Sequence, residues 1–466
     1  MTAIDVASVP PMVGTQPPPA RGRLFPSRSA TENPFEALPL AAYEQGVWRQ
    51  PSLFNRAWLV NDPAGIKRVL IDRVANYPKM PMEQRFFRAL FGEGLLSADG
   101  ETWRSHRRIM APSFDPRSVA GYSEAMVDAS TAFAGEWGRL EDGAQVDISA
   151  DMTRLTLEII SRTMFSADAG EMTGVTGLAL EQGLDQAFNF NLLDILPVIG
   201  PRRLAGRERV MQQLFAPMDQ PLKRLIESRR ANPGKLDLLG RLVASLDEET
   251  GAGLSTEEVR NEVLTIFVAG HETTATAMTF VWYALSQQPE WEEKLHAELA
   301  EVLGGRTATD ADLPKLKLTR RIIEETMRLY PPAPGMSARV ALEADEVAGT
   351  RIPAGGMVLI SAWILHRHRS LWEDPNRFDP DRFLAERSVG RPRFAYLPFG
   401  GGPRVCIGQM LAMNEAVLIL ASLAQRYRLR LAPGQVVQPQ ANISLRPKHG
   451  LKMTLEHRRP AADAAA

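Results

Sequence analysis

The chain has 466 residues, a formal net charge of -1, 44% hydrophobic and 23% charged residues, and a single cysteine. Near-neutral charge excludes an overall nucleic-acid or membrane-surface role, and one Cys excludes an internal disulfide, so nothing requires an oxidising compartment. The length suffices to enclose a bulky cofactor within a large core.

Residues 1–24 are rich in small residues and proline (Pro10, Pro11, Pro17, Pro18, Pro19) and read as a flexible lead-in without the pattern of a secretory signal. "RAWLVNDPAGIKRVLID", from Arg56, predicts strand, turn and helix. "MEQRFFRALFGEGLL", 82–96, and "QAFNFNLLDILPVIG", 186–200, are apolar and aromatic, and offer Phe86, Phe87 and Phe188 as candidate walls of an apolar pocket. Between them, "WRSHRR" predicts a helix over about 101–110, with Trp103 and Arg107 on one face. Arg104 and Arg108 read as a solvated basic face that could attract an acidic electron donor.

Ser255 opens a helix of some thirty residues, capped by a Ser255–Glu258 box. At ~1.5 Å per residue it is roughly 50 Å long, and its apolar circumference makes it central. The stretch 263–285 has the length of a membrane span, but His271, Glu272 and several Thr interrupt it, so it reads as a core helix carrying a polar site. "PEWEEKLHAELAEVL" and "KLTRRIIEETMRLY" predict two more helices, the second stopped by Pro331-Pro332. "VAGTRIPAGGMVLISAWIL" predicts short strands, and His366 and His368 after it read as surface residues. "CIGQMLAMNEAVLILASLAQRY" predicts an apolar helix, "ISLRPKHGLKMTLEHR" a hairpin, and 459–466 a flexible tail. The expected fold class is mainly α with a small β-rich lobe, one domain over 25–458.

Several motifs fail. "HETTA" has Ala275 where a zinc-protease helix needs its second His; the glycines at 400–402 lack the spacing of a dinucleotide fingerprint; "PGKLD" is no phosphate loop; and no C-x-x-C exists. What remains is "FGGGPRVCIG", 399–408. Cys406 precedes a helix, whose N-terminus favours an anion. Gly400, Gly401, Gly402 and Gly408 free backbone N–H groups to face the sulfur, and Arg404 stands two residues away. A thiolate held by backbone donors suits a haem iron.

With Phe399, this segment resembles the haem-binding signature of the cytochrome P-450 family at every fixed position: Phe399, Gly400, Gly402, Arg404, Cys406 and Gly408. The resemblance runs from about Gly100 to Gly408. It implies the mainly helical P-450 fold, with haem b as cofactor and Cys406 as its metal ligand. "AGHETT", 269–274, resembles the family's distal-helix motif. Ala269 and Gly270 would let a flat ligand approach. Splitting dioxygen so that one atom leaves as water takes two protons, a catalytic task for Glu272 and Thr273. Trp103, Arg107, Arg339 and Arg404 match positions that hold the haem carboxylates, and Glu325, Arg328 and Arg382 match a buried ion cluster serving folding and haem retention.

The function so implied is a haem-thiolate monooxygenase acting on an apolar small molecule. No reductase module is visible, so its electrons would come from a separate ferredoxin or flavodoxin-type protein. No nucleic acid and no membrane anchor are expected, and the location is cytoplasmic. "GLLSADGETWRSHRR" is similar to fatty-acid-hydroxylating members. Two other readings stay open: a peroxide-driven or rearranging haem-thiolate enzyme, and a non-enzymatic haem sensor.

Overall fold

The computed structural model describes residues 38–50, 57–166, 199–441 and 443–458. The terminal segments 1–24 and 459–466 and Phe188 lie outside these residues. In chain order the strands and longer helices are β1 (Val47–Arg49), β2 (Ala57–Val60), α1 (Pro81–Phe91), α2 (Gly100–Met110), α3 (Ser123–Trp137), β3 (Gln145–Asp147), α4 (Ile148–Phe165), α5 (Ile199–Ala231), α6 (Thr256–Gln287), α7 (Pro289–Leu303) and α8 (Lys317–Leu329). Next come β4 (Arg339–Val340), β5 (Asp345–Val347), β6 (Thr350–Ile352), β7 (Met357–Leu359), α9 (Gln409–Ala424), β8 (Tyr427–Leu431), β9 (Pro439–Ala441), β10 (Leu445–Pro447) and β11 (Lys452–His457).

Helix α6 is the axis of the molecule. Its start is fixed by the expected capping box: Glu258 N–H donates to Ser255 Oγ, and Ser255 N–H to Glu258 Oε2. Its 32 residues are mostly buried and pack against α4, α5, α8 and α9. Helix α8 stops before Pro331, as proline requires.

The β lobe is small. One sheet has the order β1-β2-β7-β4, with β2 and β7 parallel in the register Trp58↔Val358. Its own apolar cluster includes Trp58, Val60, Leu70, Val358 and Leu397. Strands β9 and β10 pair only with each other among the described residues. No described helix is long and apolar enough to cross a membrane.

Phe86 and Phe87 belong to the main core. Their rings meet edge to face at 5.4 Å, and Phe87 stacks on Phe91 at 6.4 Å. His366 and His368 are not surface residues: both are buried. Leu397 N–H donates to His366 Nε2 at 2.8 Å, and burial, with Arg328 and Arg367 nearby, pushes the His366 pKa down to about 3. The ring is therefore a neutral structural acceptor.

Candidate active site

The loop 399–408 is shaped by its glycines. Gly402 sits at φ 71, and a Cβ there would stand 2.4 Å from the Leu70 carbonyl oxygen, so only glycine fits. Cys406 N–H donates to Phe399 O at 2.9 Å, which closes the loop. Gly408 then caps α9.

Cys406 keeps accessible surface, yet protein surrounds the thiol closely enough that burial raises its pKa, against the Gly408 backbone donor and the Arg107 charge. One expectation needs correcting here. Arg404 is not the cation that serves the sulfur. Its guanidinium pairs with Asp99, donates to Ala98 O at 3.2 Å and lies 4.2 Å over the Trp103 ring. Arg107, from α2, is the cation that Cys406 feels.

Helix α2 thus delivers Trp103 and Arg107 together, as their spacing predicts. Around Arg404 stand Arg339, from β4, and Lys79, a residue that belongs to no recognisable motif. Lys79 pairs antiparallel with Arg339, a bridge held by Met80 N–H to Ala338 O and Val340 N–H to Pro78 O, and its ammonium donates to Leu96 O at 2.5 Å. Burial, then the Arg404 and Arg339 charges, pull its pKa down to about 7. Arg339 is 5% exposed, and its Nε has no hydrogen-bond partner. The nearby acids are Glu83 and Asp99, two against three cations. A buried positive surplus with an orphaned donor fits a ligand that brings carboxylates.

Arg104 is exposed and pairs with Glu101 at 2.9 Å. Arg108 departs from the expected solvated face: it is half-buried and pairs with Asp247 at 3.0 Å and Glu249 at 3.2 Å.

On α6, accessibility breaks the burial pattern at one place. Residues 261–268 and 274–285 are buried, whereas Ala269 is exposed and Gly270, Glu272 and Thr273 are partly so. A core helix with an accessible window of small and polar side chains is shaped to face a ligand. Thr273 Oγ donates back to Ala269 O at 2.8 Å, leaving its lone pairs outward. Glu272 does not point freely at solvent. Its Oε1 accepts from Arg446 Nη2 at 2.5 Å, from Arg446 Nε at 3.1 Å and from Ser444 Oγ.

The ion cluster forms as expected. Arg328 grips Glu325 in two bonds, 2.7 and 2.8 Å, with both side chains fully buried. Arg382 stands 3.5 Å from Glu325, and Arg328 also donates to the carbonyls of His366, Pro375 and Arg377.

A family model described as Cytochrome P450 matches residues 15–455. The chain is 35% identical over 448 residues to the cyclooctat-9-en-7-ol 5-monooxygenase of Streptomyces melanosporofaciens, covering 89% of this chain and 94% of that protein. It is 36% identical to the cyclooctatin synthase of the same organism over 391 residues, 82% of this chain and 83% of that one. The crystal structure of the cytochrome P450DA heme domain superposes with a TM-score of 0.79 at 28% identity, covering 89% of this chain and 90% of that chain. A lone accessible cysteine in a glycine loop, a windowed core helix and these matches lead to one conclusion: the chain belongs to the cytochrome P450 family and is a haem b enzyme, an oxidoreductase that incorporates oxygen.

Proposed function

We propose that this enzyme is a haem-thiolate monooxygenase that inserts one oxygen atom from O2 into a compact, apolar cyclic substrate, with two electrons supplied by a separate ferredoxin or flavodoxin-type protein in the cytoplasm. Cys406 carries the reading: it is accessible, and both Gly408 N–H and Arg107 favour its anion. Metal coordination deprotonates a thiol that burial alone would leave protonated. Bound at Cys406, the haem supplies oxygen activation and electron storage.

The chain's own residues do the rest. Phe399, Gly400 and Gly408 frame the sulfur. Trp103, Arg107, Arg339, Arg404 and Lys79 answer the haem carboxylates. Ala269 and Gly270 admit the flat face. Thr273 holds a proton at Oγ and Glu272 at its carboxylate for delivery to oxygen. That pair supports an O2-dependent reaction over a peroxide-driven one.

The cyclic substrate class follows from the relatives. The name of one relative, matched over 89% of this chain, is that of a monooxygenase of a cyclic alkenol. The similarity of "GLLSADGETWRSHRR" to fatty-acid hydroxylases is local, whereas that match spans 89% of the chain.

Two measurements test this. Cys406→Ser should abolish the red-shifted Soret absorption that carbon monoxide gives with the reduced protein; an unaltered band overturns the thiolate assignment. A panel of cyclic alkenes, cyclic alkenols, fatty acids and steroids, screened by the Soret shift on binding, should respond to the cyclic compounds. A response confined to fatty acids rejects the substrate class.

A further inference from the structure

The acid of the oxygen site is held by an element far from it in sequence. Glu272 sits on α6, and its partners Ser444 and Arg446 lie at and within β10, 172 and 174 residues later. Two residues apart on extended chain, Ser444 and Arg446 present side chains to the same face. Three of their hydrogen bonds fall on one oxygen, Glu272 Oε1. The Glu272 side chain is 12% exposed and that of Arg446 36%, so the ion pair spans the boundary between interior and solvent.

Strand β10 pairs only with β9 among the described residues. A two-stranded hairpin is marginal by itself, so its position depends on ties to the body of the protein. One tie is Leu445 N–H to Pro332 O at 2.9 Å. The grip on Glu272 is another, and a guanidinium–carboxylate contact is among the stronger kinds.

We propose that Arg446 and Ser444 are positioning residues for the reaction: the C-terminal hairpin sets where the Glu272 carboxylate stands relative to Thr273, and Glu272 in turn docks the hairpin. The proposal rests on the reading of Glu272 as the acid of the oxygen site. Without Arg446, the side chain swings off the window and protons no longer reach oxygen in step with electrons.

The experiment compares haem-loaded wild type with Arg446→Gln, Arg446→Lys, Ser444→Ala, Glu272→Gln and the double variant Glu272→Gln/Arg446→Gln. The first readout needs no turnover: amide hydrogen exchange by mass spectrometry over 269–275 and 443–447. Arg446→Gln and Glu272→Gln should each raise exchange in both segments about tenfold, the double variant no further, and Arg446→Lys should restore most of the protection. The second readout is the share of electrons appearing as hydrogen peroxide. Arg446→Gln should raise it toward the level of Glu272→Gln, and Ser444→Ala should raise it less.

Unchanged exchange in Arg446→Gln overturns the proposal, as does a peroxide share that stays at the wild-type value while Glu272→Gln uncouples. Additive losses in the double variant overturn it too, because Arg446 would then act elsewhere. If Glu272→Gln leaves coupling intact, the acid role of Glu272 fails, and the exchange data still decide whether hairpin and helix hold each other.

Discussion

Glu415 offers the sharpest test of the energetics. It lies on α9 nine residues after Cys406, is 5% exposed, and its Oε1 has no hydrogen-bond partner. Burial pushes its pKa from 4.5 up to about 8, with only the Thr274 hydroxyl pulling the other way. The folded protein therefore keeps this proton where the unfolded chain has lost it. Its contribution to stability is full below about pH 4.5 and drains away as the pH rises toward 8. Glu415→Gln removes the titration. Between pH 5 and pH 8 the stability of wild type should fall relative to the variant by about 3 kcal/mol. The assay is urea unfolding of both haem-loaded proteins, followed by tryptophan fluorescence, at the two pH values. The difference between pH values is the quantity to read, because any packing change made by Gln is common to both. A gap that stays constant would refute the reasoning, and would mean that Glu415 is already ionised in the fold.

Other outcomes follow from the same geometry. Thr273→Ala should keep its haem yet divert electrons to hydrogen peroxide, measured as peroxide formed per electron consumed; normal coupling would remove the hydroxyl from the proton path. Arg328→Met should leave Glu325 buried and underpaired at a cost of about 3–5 kcal/mol, read as a lower thermal midpoint and a reduced haem-to-protein ratio. Gly402→Ala should lose haem, because its Cβ would meet Leu70 O at 2.4 Å, whereas Gly143→Ala, also at positive φ but in open space, should not. His106 is buried, which lowers its pKa, but Glu262 and Glu258 outweigh this and raise it. Its stabilising contribution is therefore present below its ordinary value of 6.5 and lost as the pH rises through the raised one, so His106→Asn should destabilise at pH 6 more than at pH 9 by chemical denaturation.

Much of this architecture is local and so was legible in the sequence. The start of α6 needs only Ser255 and Glu258, three residues apart, and its end only the loss of apolar pattern before Pro289. The cysteine loop is legible because glycine alone tolerates φ 71 against a carbonyl. Arg328 and Glu325 meet because a helix brings i and i+3 together. What escaped was long-range. Arg404 stands two residues from Cys406 but turns to Asp99, 305 residues away, because a carboxylate and an aromatic face outcompete a sulfur already served by Arg107. His366 looked like surface in "LHRHRS", yet a neutral imidazole can be buried wherever one backbone donor meets it, and Leu397 N–H does. Lys79 carries no motif at all. Only the fold shows it beside Arg339.

The contrast between the two buried charge clusters separates architecture from ligand binding. The Arg328 guanidinium is answered internally, by Glu325 in two bonds and by three carbonyls, while Arg382 Nε, 3.5 Å from Glu325 Oε1, makes no hydrogen bond. Removing Arg328 from this network strands the Glu325 charge, which costs stability and, with it, haem retention. Around Arg339 the same chemistry is incomplete. Three cations face two acids, Arg339 Nε has no partner, and burial and like charge draw the Lys79 pKa down to about 7. A folding sequence gains nothing by crowding cations it cannot neutralise, since buried unpaired charge is destabilising. That cost is offset when carboxylates arrive from outside the chain. On the proposed reading of Arg339 and Lys79 as partners of the haem carboxylates, arrival of those carboxylates should raise the Lys79 pKa, so the haem-loaded protein should keep the Lys79 ammonium charged to a higher pH than the haem-free one.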